Sequence, residues 1–165
     1  MARVDDELKD RLARLEAVTE ITALKHRYLR ACDAKRPDEF RNCFVAEGAV
    51  LDYGPLGAFT GVEPIAAIFE RVALRKVDGR HVIFDMHHAV HPDITVLDAD
   101  NARGDWTLRF RQVNTEAGTE QVSSIEYRDT YRRESDGWRI ASSKVEVLWS
   151  MTTPLPEGYQ IQESY

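Results

Sequence analysis

Four β-rich stretches joined by short turn-forming sequences fill the second half of the chain, and no other feature limits the fold as tightly. They span 82–97, 102–114, 120–134 and 137–150, and the separators read "DADN", "TEAG" and "ESDG". Asp, Asn and Gly supply the conformations that tight hairpins need. Strands joined this way form an antiparallel meander, which must bury one face against a second layer.

The preceding residues provide that layer. Apolar positions run Val4, Leu8, Leu12, Leu15, Val18, Ile21, Leu24, Tyr28, Cys32 in steps of three and four, the helical period. A helix of that length is unusual, so a break is expected near residues 16–20, leaving an N-terminal arm over 1–15 and a core helix over 21–35. Pro37 followed by Asp38 and Glu39 suits the start of a second, short helix ending near Gly48. "GAVLDYG" (48–54) predicts a strand, "GPLGAFTG" a loop and "VEPIAAIFERVALRK" a third helix.

Helices followed by a meander predict an α+β fold: a strongly curved antiparallel sheet wrapped by three helices, forming a cone with an interior. The 165 residues suit one domain. The Pro-containing end, 151–165, is expected as an extended tail, serving as a lid or subunit contact rather than a strand.

Charge and composition narrow the function. A net charge of −6 argues against a nucleic-acid surface, which carries a basic stripe. No apolar run approaches the roughly 18 residues of a membrane span, and the charged start "MARVDDELKDRLARLE" lacks the apolar centre of a signal peptide. Cys32 and Cys43 have no metal-type spacing; free thiols in a reducing cytoplasm are expected.

Three of the five histidines fall in "FDMHHAVHPD" (84–93). On a regular strand His87, Ala89 and His91 share one face and His88 and Val90 the other. His87 and His91 then stand roughly 13 Å apart, too far to share one metal ion. His88 and His91 read as a solvated polar strand, and no metal site is expected. His87 could instead meet a carboxylate from another element.

Asp33 is such a carboxylate. It sits at the border of the apolar face carrying Tyr28 and Cys32, near a helix C-terminus, where both the macrodipole and burial disfavour an anion. Either a pocket histidine compensates it, fixing the imidazole tautomer, or it faces Arg30 or Arg36 on the surface. His26, seven residues before Asp33, is expected towards solvent. On the strands, Trp106, Leu108, Phe110 and Gln112 share a face, as do Tyr127, Asp129 and Tyr131. Both sets are expected to shape a cavity. Met86 and Trp149 read as packing, and Arg109 and Arg111 point outward by alternation.

Three longer stretches carry a resemblance: "LKHRYLRACDAKRPDEFRNCFVAEGAVLDYGPLGAFTGVEPI", "MHHAVHPDITVLDADNARGDW" and "YRDTYRRESDGWRI". They resemble the SnoaL-like members of the nuclear-transport-factor-2-like superfamily over roughly 15–150. The nearest parallels are its small cofactor-free lyases: scytalone dehydratase, bile-acid 7α-dehydratase and hexachlorocyclohexane dehydrochlorinase. The resemblance implies an Asp–His dyad at Asp33 and His87. It also implies that Tyr53 holds water near a substrate carbonyl and that Tyr28 donates a hydrogen bond. Gln112 and Phe110 stand where relatives carry a second histidine or a further aspartate, so no particular substrate carries over.

Taken together, these features predict a cofactor-independent lyase or isomerase. Its catalytic residues are His87, Asp33, Tyr28 and Tyr53; Phe110, Gln112, Tyr127 and Trp106 contact a small hydrophobic ring or polyketide-like substrate. No metal, nucleic-acid or membrane partner is expected, and the family resemblance implies a homodimer or higher homo-oligomer. A non-catalytic small-molecule-binding module and a ring-hydroxylating oxygenase β-subunit are the alternatives.

Overall fold

The computed structural model describes residues 2–163, with side chains from Val4 onward. Residue 1 of the arm and residues 164–165 of the tail lie outside the described residues. Helix α1 spans Ala2–Asp33 without interruption. The expected break is absent because no Gly or Pro falls in this segment, and its Ala, Leu, Glu and Arg residues favour helix. Instead, what changes is burial: residues 4–16 are exposed, and Ala17 begins the covered stretch.

At its end the chain makes a Schellman turn. Lys35 takes φ 58°, its N–H donates to the Cys32 carbonyl (3.2 Å), and that of Arg36 donates to Ala31 (2.9 Å). Glycine usually fills that left-handed position. Here Lys35 sends its ammonium to the Ile83 carbonyl at 2.7 Å, tying the helix end to the first long strand.

Helix α2, Pro37–Arg41, is shorter than expected; Asn42 and Cys43 follow it in a turn, and Phe44 bridges to Ile140. Strand β1 is Val50–Asp52. The expected loop holds a 3₁₀ turn (Gly54–Leu56) and strand β2 (Ala58–Thr60), which folds back on β1. Helix α3, Glu63–Ala73, ends early because a small hairpin of β3 (Lys76–Val77) and β4 (Arg80–His81) takes over. The four long strands are β5 (Ile83–Val96), β6 (Asn101–Asn114), β7 (Thr119–Glu134) and β8 (Gly137–Pro154). Strand β8 runs beyond residue 150 because Pro154 occupies its last position, where a missing N–H interrupts little.

The main sheet has the order β2-β1-β8-β7-β6-β5. The meander is antiparallel as expected, but the sheet is mixed: β1 lies parallel to β8, since the chain reaches it from α2 rather than through a hairpin. Register shifts at Ser124/Ile125, Thr130/Tyr131 and Val90/Asp93 mark β-bulges, which bend and twist strands. The result is an α+β cone: three helices against an open, curved sheet.

The core lies between α1 and the concave face, where Ile21, Leu24 and Tyr28 meet residues such as Leu108, Tyr131 and Ile140. Met86 and Trp149, expected to pack, are 40% and 55% exposed. Alternation places Met86 on the convex face, and the register shift at Ser124/Ile125 turns Trp149 there too, opposite Ser124.

Candidate active site

A cavity of about 390 Å³ opens between the concave sheet face, α1 and α3. Its walls are mainly apolar, with Phe40, Ile65, Phe69, Phe110, Ile125 and Val145 among them. Helix α3 supplies one wall because Ile65, Ile68, Phe69 and Val72 recur at three- and four-residue spacing. A few polar groups converge on this apolar space: Tyr28, Tyr53 and Tyr127, with His87, Asp85 and Gln112. That combination is the usual character of a small-molecule site.

His87 stands on β5, an edge strand, and its peptide N–H points out of the sheet towards the end of α1. Asp33, the last residue of α1, meets it twice. The His87 peptide N–H donates to Oδ2 at 3.2 Å, and Nδ1 lies 2.6 Å from Oδ1. Their side chains retain 13% and 33% of their exposure, respectively. A carboxylate only accepts, so in the neutral ring Nδ1 carries the proton and Nε2 keeps its lone pair. The Phe110 ring, with centroids 4.8 Å apart, backs the imidazole. Of the other partners considered for Asp33, Arg36 pairs with Glu39 and Arg30 is exposed.

Two tyrosines stand elsewhere on the same cavity wall. Tyr28 reaches in from α1 and Tyr53 from the turn after β1, with hydroxyls 2.9 Å apart. Gly54 makes that turn possible: it has φ 55°, and a Cβ there would lie 3.2 Å from the Val145 carbonyl oxygen. Burial holds both hydroxyls well above the ordinary tyrosine range, so they are protonated donors at neutral pH.

Of the expected substrate contacts, Phe110, Gln112 and Tyr127 line the cavity. Trp106 does not. It lies 1% exposed beneath α1, its indole N–H donating to the Tyr131 hydroxyl at 2.9 Å. Gln112 is engaged by Asp85, donating to Oδ1 at 2.9 Å. His91 leaves the concave face because the bulge at Val90/Asp93 passes through it, with φ 54°; His88 and His91 are both exposed. His26 is exposed with its ring edge towards Trp106. Arg109 is exposed and Arg111 pairs with Glu120.

Two residues were missed. Asp85 shares the concave face with His87 by strand alternation and could have been read from it. Lys25 is fully buried and donates to Asp129 at 2.8 Å. Its signal was its place on the apolar stripe, four residues after Ile21 and three before Tyr28.

A larger open hollow, about 1040 Å³, lies between the β3–β4 hairpin and the tail. Its lining includes Lys76, Arg80, Glu116, Tyr159 and Glu163, and none of Asp33, His87, Tyr28 or Tyr53. The tail folds onto it: Arg80 donates to the Ile161 carbonyl at 2.5 Å, and Glu163 pairs with His81. Among the described residues no cluster of His, Cys, Asp or Glu is arranged to hold a metal ion. No helix among the described residues is long and apolar enough to cross a membrane.

Known proteins of this shape include several from Novosphingobium. A candidate scytalone dehydratase from Novosphingobium aromaticivorans DSM 12444 is similar at TM-score 0.72 and 19% identity, covering 89% of this chain and 97% of that one. Hexachlorocyclohexane dehydrochlorinase LinA-type3 from Novosphingobium barchaimii LL02 gives 0.74 and 16%, covering 92% and 99%. A candidate aromatic ring hydroxylase from Novosphingobium aromaticivorans DSM gives 0.73 and 20%, covering 84% and 94%. At these identities the likeness is one of fold. The curated proteins contain no match. The family described as "SnoaL-like domain" matches residues 13–144, most of the chain. By that match, and with the cone fold in agreement, the chain belongs to the SnoaL-like domain family.

Proposed function

We propose that this protein is a cofactor-independent lyase or isomerase acting on a small, largely apolar ring or polyketide-like substrate, with His87 as general base. The reading is carried by the 2.6 Å contact between His87 Nδ1 and Asp33 on the wall of an apolar cavity. Nε2 removes a C–H proton next to a carbonyl, and Asp33 stabilises the imidazolium that forms. The electron pair moves onto the substrate oxygen, where Tyr28 or Tyr53 donates a hydrogen bond. From that enolate, a β-substituent departs with its electron pair and takes up the proton held on His87, completing an elimination and restoring the neutral imidazole. Alternatively, His87 returns the proton to another carbon and shifts the double bond. Phe110, Gln112 and Tyr127 hold the substrate, while Trp106 acts only from behind, through Tyr131. Cys32 and Cys43, both free and buried, suit a cytoplasmic protein.

The dehydratase and dehydrochlorinase names among the structural neighbours support this chemistry. Turnover of a panel of β-hydroxy and β-halo carbonyl compounds tests it. His87→Ala and Asp33→Asn should each lower kcat by about 10²–10⁴-fold. Wild-type rates in both variants, on a compound that the wild type converts, would overturn the mechanism.

A second reading is a non-catalytic binding module of the same fold. It is favoured by Gln112, whose amide is bound to Asp85 rather than offered as an acid–base group. A ligand that saturates the cavity, remains unconverted and leaves the His87 titration unmoved in NMR would support this reading. The hydroxylase neighbour suggests an oxygenase β-subunit, which requires an iron-containing partner to co-purify.

A further inference from the structure

The proton transfer makes no use of Lys25, a charged side chain with no exposed surface. Its ammonium lies 3.6 Å from the centre of the Tyr127 ring and 5.0 Å from that of Tyr28, while donating to Asp129 Oδ2 at 2.8 Å. Asp129 pulls the other way, its charge raising the pKa of Tyr53 and Tyr127, and two further hydrogen bonds spread that charge without removing it. Oδ2 also accepts from the Tyr131 hydroxyl at 2.9 Å, and Oδ1 accepts from Ser143 at 2.7 Å. Lys25, Asp129, Tyr131 and Ser143 lie outside the cavity lining, whereas Tyr28 and Tyr127 belong to it. The two rings therefore stand between the ammonium and the cavity.

Stability alone does not account for this charge. A buried ion pair is often matched or bettered by apolar residues of similar volume. A cation against the face of a phenol does something an apolar residue does not: it draws density from the ring and strengthens the hydroxyl as a donor.

We infer that Lys25 is a positioning residue that lends positive charge, through the faces of Tyr127 and Tyr28, to an oxyanion site at the tyrosine end of the cavity. The ligands it favours carry an enolate- or phenolate-type oxygen. The inference rests on the reading that Tyr28 or Tyr53 donates to the substrate oxygen. Burial keeps those hydroxyls protonated, so they act as donors rather than competing anions.

The test uses 4-nitrophenol, whose phenol and phenolate bands are separately visible, at a pH near its own ionisation. It is run in the His87→Ala background, where that imidazole cannot take the probe's proton. With Lys25 intact, the bound probe should shift towards phenolate relative to free probe. Lys25→Met/Asp129→Asn removes both charges together and should lower the bound phenolate-to-phenol ratio about tenfold, with circular dichroism unchanged. Tyr127→Leu keeps the ion pair whole, removes the intervening ring and should give the same direction of loss.

A ratio kept within about twofold in either folded variant overturns the inference. So does an intact protein that binds no probe or does not favour the phenolate. If Tyr28→Phe loses the ratio while the charge-free variant keeps it, the Lys25 inference falls and the tyrosine-donor reading survives.

Discussion

Asp33 occupies a position where, by itself, it would destabilise α1: the negative end of a helix, at the edge of a buried face. Two hydrogen bonds from His87 and the nearby Lys35 ammonium offset that, so the groups that stabilise the helix end also orient the imidazole. The tyrosines carry their own pH signature. Burial raises Tyr28, Tyr53, Tyr127 and Tyr131 above the ordinary range. A group whose folded pKa is raised favours the fold while protonated. Its contribution is complete below about pH 10, the unfolded value, and declines above it as the unfolded chain releases protons the fold retains. Denaturant midpoints should therefore stay level up to that pH and then fall. The fall should be shallower in Tyr28→Phe, by up to about 1.4 kcal/mol per pH unit; equal slopes would contradict it. At this scale the sequence was half legible. Helical period fixed the azimuths of Tyr28 and Asp33 but not which distant group each would meet. Lys25 was hidden because its partner, Asp129, lies 104 residues away.

Among the elements, the long strands were readable because turn chemistry marks their ends. The short pieces β2, β3 and β4 were not, since two or three residues carry no period. The bulge in β5 was invisible too, yet it decides the histidine question: by passing through His91 it ends the alternation that would have kept His91 on the same face as His87. It also leaves a non-glycine residue at φ 54°, a conformation that costs most L-residues about 1–2 kcal/mol. His91→Gly should change stability by less than about 1 kcal/mol, relief of strain offsetting the added freedom of the unfolded chain. His91→Val, β-branched at a left-handed position, should destabilise by about 1–2 kcal/mol. Chemical denaturation ranks the pair; equal stability would mean that this bulge is absent in solution.

For the molecule as a whole, the order of elements specified the cone, and the resemblance pointed to the Asp33–His87 contact that periodicity left open. Apolar surface among the described residues remains uncovered on the arm stripe of Val4, Leu8, Leu12 and Leu15, 54–68% exposed, and on the convex face bearing Trp149 and Met151. Burying such residues is worth about 1.5–3 kcal/mol each, which accords with the homo-oligomer that the resemblance implies. Light scattering after size exclusion should return at least twice the 18.9 kDa chain mass; a monomer at working concentration would contradict it.

The proposed chemistry depends on one transfer, a proton passing from a ligand carbon to His87 inside the hollow of the cone. Deuterium uptake from heavy water into a panel of enolisable cyclic ketones, followed by mass spectrometry, measures that step without knowledge of the natural substrate. The wild type should label at least one ketone next to its carbonyl well above the buffer rate, and His87→Ala should label it at least about 100-fold more slowly. Equal labelling by the two proteins, or none above buffer by the wild type, would contradict the assignment of His87 as the base.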